Sequence, residues 1–254
     1  MITGIDHVIV AVPDPDEAAA ELERLLGLRA GPGGRHEHYG SRNRLIWLGD
    51  SYVELLGIDD ERLAAGAWYG PRALSVLSEH GAGYVGLSLA SDDLAAEMAV
   101  LQGQGSVLGA PAEGERRRPD GRIVRWRVAV PPAADPDVGL VFLIQHDAQG
   151  AEWTAPERAE RARQQHPLGG PVRLTHFELP VREVRATTMR LHRDVGLQFR
   201  PSLAGGGARD ASAGSQTVRL IAARPGVLPV VAMRGGRSEV DAAAFGCRWL
   251  IALR

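Results

Sequence analysis

The sequence contains no lysine: all 29 of its basic residues are arginine. That removes Schiff-base catalysis and any phosphate-loop or kinase-type lysine. Cysteine occurs once, at Cys247, which excludes disulfides within the chain, thiolate zinc sites and iron–sulfur clusters. A metal would have to be held by His, Asp, Glu or amide oxygen, a donor set that suits divalent Zn, Ni, Fe, Mn or Co. No apolar run approaches the roughly 20 residues that span a bilayer, and the first residues read as a strand and not as a signal peptide. A cytoplasmic protein without membrane contact is therefore expected. A formal charge of -2 gives no electrostatic case for a nucleic-acid partner. With 44% apolar and 24% charged residues, the 254-residue chain is long enough for one large or two modest globular domains.

What is present reads as repeated units. IDHVIVAV (5–12) is a strand in which Asp6 and His7 interrupt a β-branched apolar run. A helix follows: Asp14 is its N-cap, Pro15 fits the first position, Glu17 completes a capping box and Gly27 stops it. The glycine-rich GPGGRHEHYG (31–40) leads to strands NRLIWLG (43–49) and SYVELLGI (51–58), joined by a tight turn at Gly49-Asp50. A second βαβββ unit spans about 82–147: strand 83–91, helix 94–105, and strands 122–130 and 139–146. In RIVRWRVAV, Val124, Trp126 and Val128 share one face while Arg125 and Arg127 share the other. LTHFELPV (174–181) opens a third unit, matching IDHVIVAV at an offset of 169 (176 − 7) that also pairs Leu22 with Leu191 and Gly27 with Gly196. Strands at 216–223, 227–233 and 247–254 would complete it, with 148–171 as a linker and GGGARDASAGS (205–215) as a mobile loop.

Repeated βαβββ units with a first-strand histidine and a fourth-strand glutamate resemble the vicinal oxygen chelate superfamily. GGRHEHYGSRNRLIWLGDSYVELLGI looks like its glyoxalase-like domain branch, whose pattern is Gly-Gly-x-His, Gly-Ser/Thr-x-Asn-Arg-Leu and Leu-Gly-Asp-x-Tyr-x-Glu-Leu. RRRPDGRIVRWR (116–127) and LVFLIQHD (140–147) also fit. The resemblance implies an α+β chain of the glyoxalase/bleomycin resistance-like fold. Residues 1–147 form a two-unit domain (about 4–58 and 82–147) with a half-open cleft, and 172–254 form a third, diverged unit. It further implies a divalent metal held by first- and fourth-strand residues, with lyase, isomerase or dioxygenase chemistry on a small oxygenated molecule. The alternative is a metal-free protein that sequesters a small molecule, like bleomycin-resistance proteins. A structural role for a vestigial cleft is a third.

On this reading the metal ligands are His7, Glu54 and Gln145. Glu54, flanked by apolar residues, is costly to bury unless paired or metal-bound, and doubles as a general base. In the second unit the place of His7 falls at Gly83 or Tyr84, and that of Glu54 at Gln145. His146 is one residue on and so faces the other way. His36 is a fourth ligand or an acid/base, whereas His38 points away. Asn43, Arg44, Trp126 and His146 are candidate substrate contacts, and the arginines near the cleft mouth favour a carboxylate- or phosphate-bearing molecule. His176 lacks a carboxylate partner, with Trp249 in the aligned slot, and reads as structural; His80, His166 and His192 have no assigned role. An odd number of units leaves the third without a mate, which points to a homodimer.

Overall fold

The computed structural model describes residues 1–253, and its fifteen strands fall into two sheets. The first unit consists of β1 (Ile2–Ala11), α1 (Pro15–Leu26), β2 (Gly31–His36), β3 (Ser41–Leu48) and β4 (Ser51–Ile58). After α2 (Glu61–Ala65) and α3 (Gly70–His80), the second unit supplies β5 (Gly83–Ser91), α4 (Leu94–Gly103), β6 (Ala112–Arg117), β7 (Ile123–Ala129) and β8 (Leu140–His146). Asp14 accepts the amides of Asp16 and Glu17, and the left-handed Gly27 ends α1, as its sequence dictates.

The eight strands close into a barrel in the order β1-β4-β3-β2-β6-β7-β8-β5, not the half-open cleft expected. Closure rests on a single pairing between β2 and β6, Arg35 with Arg117. Both strands lack the apolar alternation that marks the others, and neither was legible. At Gly33 of β2 a Cβ would lie 1.8 Å from the carbonyl oxygen of Asn43, so only glycine lets that strand run so close to β3.

Beyond α5 (Ala155–Arg161), the chain builds a third βαβββ unit. Its elements are β9 (Val172–Val181), α6 (Val184–Val195), β10 (Phe199–Pro201), β11 (Arg209–Ala213) and β12 (Gln216–Ala222). The stretch expected to be a mobile loop therefore contains a strand, because Arg209–Ala213 pairs with both neighbours and hides its alternation between glycine turns. Three more strands, β13 (Val230–Gly235), β14 (Val240–Ala244) and β15 (Cys247–Ala252), extend the sheet in the order β10-β11-β12-β9-β13-β15-β14. Strands β13 and β15 stand to β9 as β5 and β8 stand to β1: β13 runs antiparallel to β9 and parallel to β15. The third unit thus finds its mate within the chain, in a fourth unit reduced to three strands without a helix, and the reason given for a second copy disappears.

The second sheet packs its apolar face onto the helical side of the barrel. One core cluster contains Leu22 and Leu26 of α1, Leu87 and Leu89 of β5, Phe177 and Leu179 of β9, and Trp249 of β15. Trp249 is fully buried there, not aligned with a site. The rings of Tyr84 and Phe177 lie 5.1 Å apart across the junction. Among the described residues no helix is long and apolar enough to cross a membrane. Because the core is continuous, urea unfolding is expected to be a single transition. Phe177→Ala should lower stability by about 3–5 kcal/mol; two separate transitions in the wild type would contradict the shared core.

Candidate functional site

A β-bulge decides what the barrel holds. Between Ile5 and His7 of β1 the register to β5 slips, so that Asp6 is an extra residue. Ile5 therefore joins the outer core with Val8 and Val10, while His7 faces inward with Ile9 and Ala11, although simple alternation would put Ile5 on the histidine's face. The bulge recurs at Val85 of β5 and Thr175 of β9, so it belongs to the unit itself. Only the first unit places a carboxylate there.

Asp6 is 2% exposed. Its Oδ1 lies 2.6 Å from His7 Nδ1, and both its oxygens lie 3.1–3.2 Å from His146 Nε2. Burial pushes the Asp6 carboxyl up, but the charge and hydrogen bonds of His146 and His7 outweigh it and hold it well below the usual carboxylate range. An ionised Asp6 only accepts, so it fixes the His7 proton on Nδ1 and turns Nε2 toward the cavity. There Glu54 Oε2 is 3.6 Å away, beyond hydrogen-bond reach, while Oε1 accepts from Asn43 Nδ2 at 2.6 Å. Tyr52 stacks on the His7 ring at 4.6 Å and Phe142 meets it edge-on at 5.7 Å.

His36 is also inside, its Nδ1 3.0 Å from Ser41 Oγ, which is 2.6 Å from the Tyr69 hydroxyl. Arg116 of β6 reaches in from the second unit and donates to Glu152 Oε2 at 2.6 Å, leaving its Nη1 buried without a partner. The enclosed space is about 50 Å³, room for only a few waters. Aromatics are scarce in this chain, yet four of the five tryptophans and three of the four tyrosines line this one cavity. Glu152 and Trp153 of the expected linker cover one part of it, and Trp68 and Tyr69, between α2 and α3, another.

Of the sequence-derived candidates, His7, His36, Asn43, Glu54, Trp126 and His146 meet in this cavity. Two do not. Gln145 points outward, accepting the Leu94 amide at 3.1 Å and donating to the Asp92 carbonyl at 2.8 Å, where it holds the start of α4. The strand's period of two settles the matter: Phe142 and Ile144 line the cavity, so His146 does and Gln145 cannot. Arg44 lies on the outer face of β3, bound to Asp16 and to the Gly31 carbonyl. His166, given no role from sequence, is 5% exposed and accepts the Arg29 amide while donating to the Trp47 carbonyl, so it pins the linker to the barrel. Arg116, one of the arginines expected near the cleft mouth, lines the cavity, whereas Asp6, Glu152 and Trp153 were missed as site residues. Asp6 carried a signal, a second polar group in an apolar strand.

The donor set does not fit the metal that the fold suggests. Counting back from the helix caps Asp14 and Asp93, the second-unit counterpart of His7 is Gly86, not Gly83 or Tyr84. Ile9 pairs with Glu54 as its counterpart Ser88 pairs with Phe142, so Glu54 is matched by Phe142. Neither Gly86 nor Phe142 offers a ligand. Among the described residues no group of three or more His, Cys, Asp or Glu is placed to hold an ion, whereas a catalytic site such as that of zinc takes about three protein ligands. In the third unit the pairing of Glu178 with Arg219 puts an arginine, itself bound to Asp210, in the slot of Glu54.

Burial holds the His36 imidazole down at about 4. The unfolded chain binds that proton near pH 6.5 and the folded one only near 4. Stability is therefore expected to fall as pH drops through this window. The stability difference between wild type and His36→Gln, measured by urea titration, should narrow over the same range; a constant difference would show that His36 is not held neutral.

Comparison with known proteins agrees with the fold. A family model described as a glyoxalase-like domain matches residues 5–195. No curated protein matches the chain. The solved structure of a hypothetical protein from Staphylococcus aureus superposes with a TM-score of 0.79 at 15% identity, over 98% of this chain and 99% of that one. Methylmalonyl-CoA epimerase from Mycobacterium tuberculosis gives 0.42 at 24% identity, over 57% and 88%. The Streptomyces coelicolor epimerase in complex with 2-nitronate-propionyl-CoA gives 0.42 at 19%, over 57% and 98%. The first likeness extends the fold over the whole chain, at an identity too low to carry an activity.

Proposed function

The chain belongs to the glyoxalase-like domain family, and we propose that it is a metal-independent proton-transfer enzyme acting on a small carbonyl compound inside the barrel. The observation that carries this reading is the buried array Asp6–His7···Glu54–Asn43. Its two central groups face each other across 3.6 Å with no protein donor between them. With Asp6 holding the proton on His7 Nδ1, His7 Nε2 and Glu54 Oε2 are the acceptor atoms left facing the cavity, a setting suited to taking a proton from a ligand. One of the two removes a proton from the carbon beside the carbonyl, and Asp6 stabilises the imidazolium when His7 carries it. Arg116 Nη1, buried and unpaired, donates to the oxygen where negative charge develops. Returning the proton to the same or a neighbouring carbon completes an isomerisation or epimerisation. Metal-free sequestration of a small molecule is the second reading, favoured by the enclosed, aromatic-lined cavity.

Two measurements test the choice. Protein purified without chelators is expected to contain well under one divalent ion per chain, and EDTA is expected to leave activity unchanged; a stoichiometric ion lost in His7→Ala and Glu54→Ala would overturn the metal-free reading. Carbonyl compounds incubated with the protein in deuterium oxide are expected to exchange the hydrogen next to the carbonyl. The exchange should be abolished by His7→Ala and lowered about 100-fold or more by Asp6→Asn, which misplaces the His7 proton. Binding without exchange would favour sequestration.

A further inference from the structure

The segment after β8 does more than connect the sheets. Glu152 is 5% exposed, and its carboxylate is gripped by two guanidinium groups, Arg116 at one oxygen and Arg118 at the other. Beside it, the Trp153 ring lies flat on the His146 imidazole, 3.6 Å between centroids and 12° between planes. A carboxylate on an arginine pair and a flat ring on an imidazole are what a bound aromatic acid would present to these residues. The backbone shows the same tension. Glu152 has φ 71, one of only two non-glycine residues with positive φ among the described residues, which costs free energy that its ion pairs offset.

We infer that Arg116, Arg118 and His146 form a subsite for the carboxylate and ring of a small aromatic acid, and that Glu152-Trp153 is an intramolecular occupant which the ligand displaces. The inference rests on the reading of the barrel as a small-molecule site. Space demands the displacement: about 50 Å³ is too little for such a molecule, and the strands around it are held by the barrel's ladders. Of the cavity walls, Glu152 and Trp153, like Trp68 and Tyr69, belong to no strand or helix, and of these four only Glu152 and Trp153 occupy the arginine pair and the imidazole face. An orphaned donor marks the same place: Arg116 Nη1 is buried without a partner, and a carboxylate at the subsite offers it an acceptor that Glu152, with both oxygens engaged, does not. Arg161, stacked over Trp47 at 4.2 Å and Trp153 at 4.7 Å, keeps the occupant in place by cation–π contact alone, its three guanidinium nitrogens otherwise unpartnered.

The test is calorimetric titration of the full chain with benzoate and phenylacetate, against benzamide as the neutral analogue and inorganic phosphate as the other anion. Glu152→Gln frees the arginine pair at nearly constant shape, and Trp153→Ala frees the ring slot. Each is expected to tighten binding of the two aromatic carboxylates about tenfold or more, with little change for benzamide or phosphate, and Arg118→Ala added to Glu152→Gln should remove the gain. Equal gains for benzamide, a gain for phosphate alone, or no gain in either variant would overturn the inference. Should Glu152→Gln fold poorly, Trp153→Ala carries the test, and benzoate should raise its melting temperature more than that of the wild type. The titrations are repeated with His7→Ala in each background. A gain that survives there while hydrogen exchange is absent in every background would sink the proton-transfer reading alone, whereas intact exchange with no gain would sink the subsite alone.

Discussion

The buried carboxylate of Asp6 is the constraint on which the site depends. An ionised group 2% exposed is tolerated only because two imidazoles donate to it, and those imidazoles reach it only because a bulge turns Asp6 toward them. Without the extra residue, strand alternation would put Asp6 and His7 on opposite sides of the sheet. The same bulge in the second and third units, at Val85 and Thr175, shows that the backbone device comes with the fold. What it presents is a choice made residue by residue.

Much of this was legible in the chain. Helix caps, the Gly49-Asp50 turn and the offset linking His7 to His176 reveal the units because they rest on local chemistry and strict spacing. The inward course of Glu54 and Asn43 follows from alternation along β3 and β4. What escaped is what pairing alone determines. Strands β2 and β6 are glycine-rich or charged and exist because neighbours need them. The expected orientation of Gln145 rests on matching it to Glu54, whose counterpart is Phe142 three residues earlier, and an odd offset along a strand reverses a side chain. The reduced fourth unit was invisible because it lacks the helix that announces the others.

The linker's part in the site is of a different kind. Glu152 and Trp153 carry no motif, and a polar stretch between two sheets gives no reason to look there. Their importance comes from long-range partners, Arg116 and Arg118 on β6 and just beyond it and His146 at the end of β8, that meet only once the barrel is closed. His166 fixes the far end of the same segment to the Trp47 carbonyl, so the stretch is tethered at both ends and packed along its middle.

The barrel is two-fold in its backbone but not in its charge. Glu54 and Asp6 enter from the first unit, Arg116 from the second, and the counterparts of His7 and Glu54 are glycine and phenylalanine. A symmetric shell with an asymmetric lining would give an occupant one favoured orientation, its electron-rich end toward Arg116 on β6. Were the unit's chemistry duplicated along with its fold, the two ends of the chamber would be equivalent and a prochiral guest could lie either way round. The divergence of the second unit is thus what would allow this chamber to tell left from right.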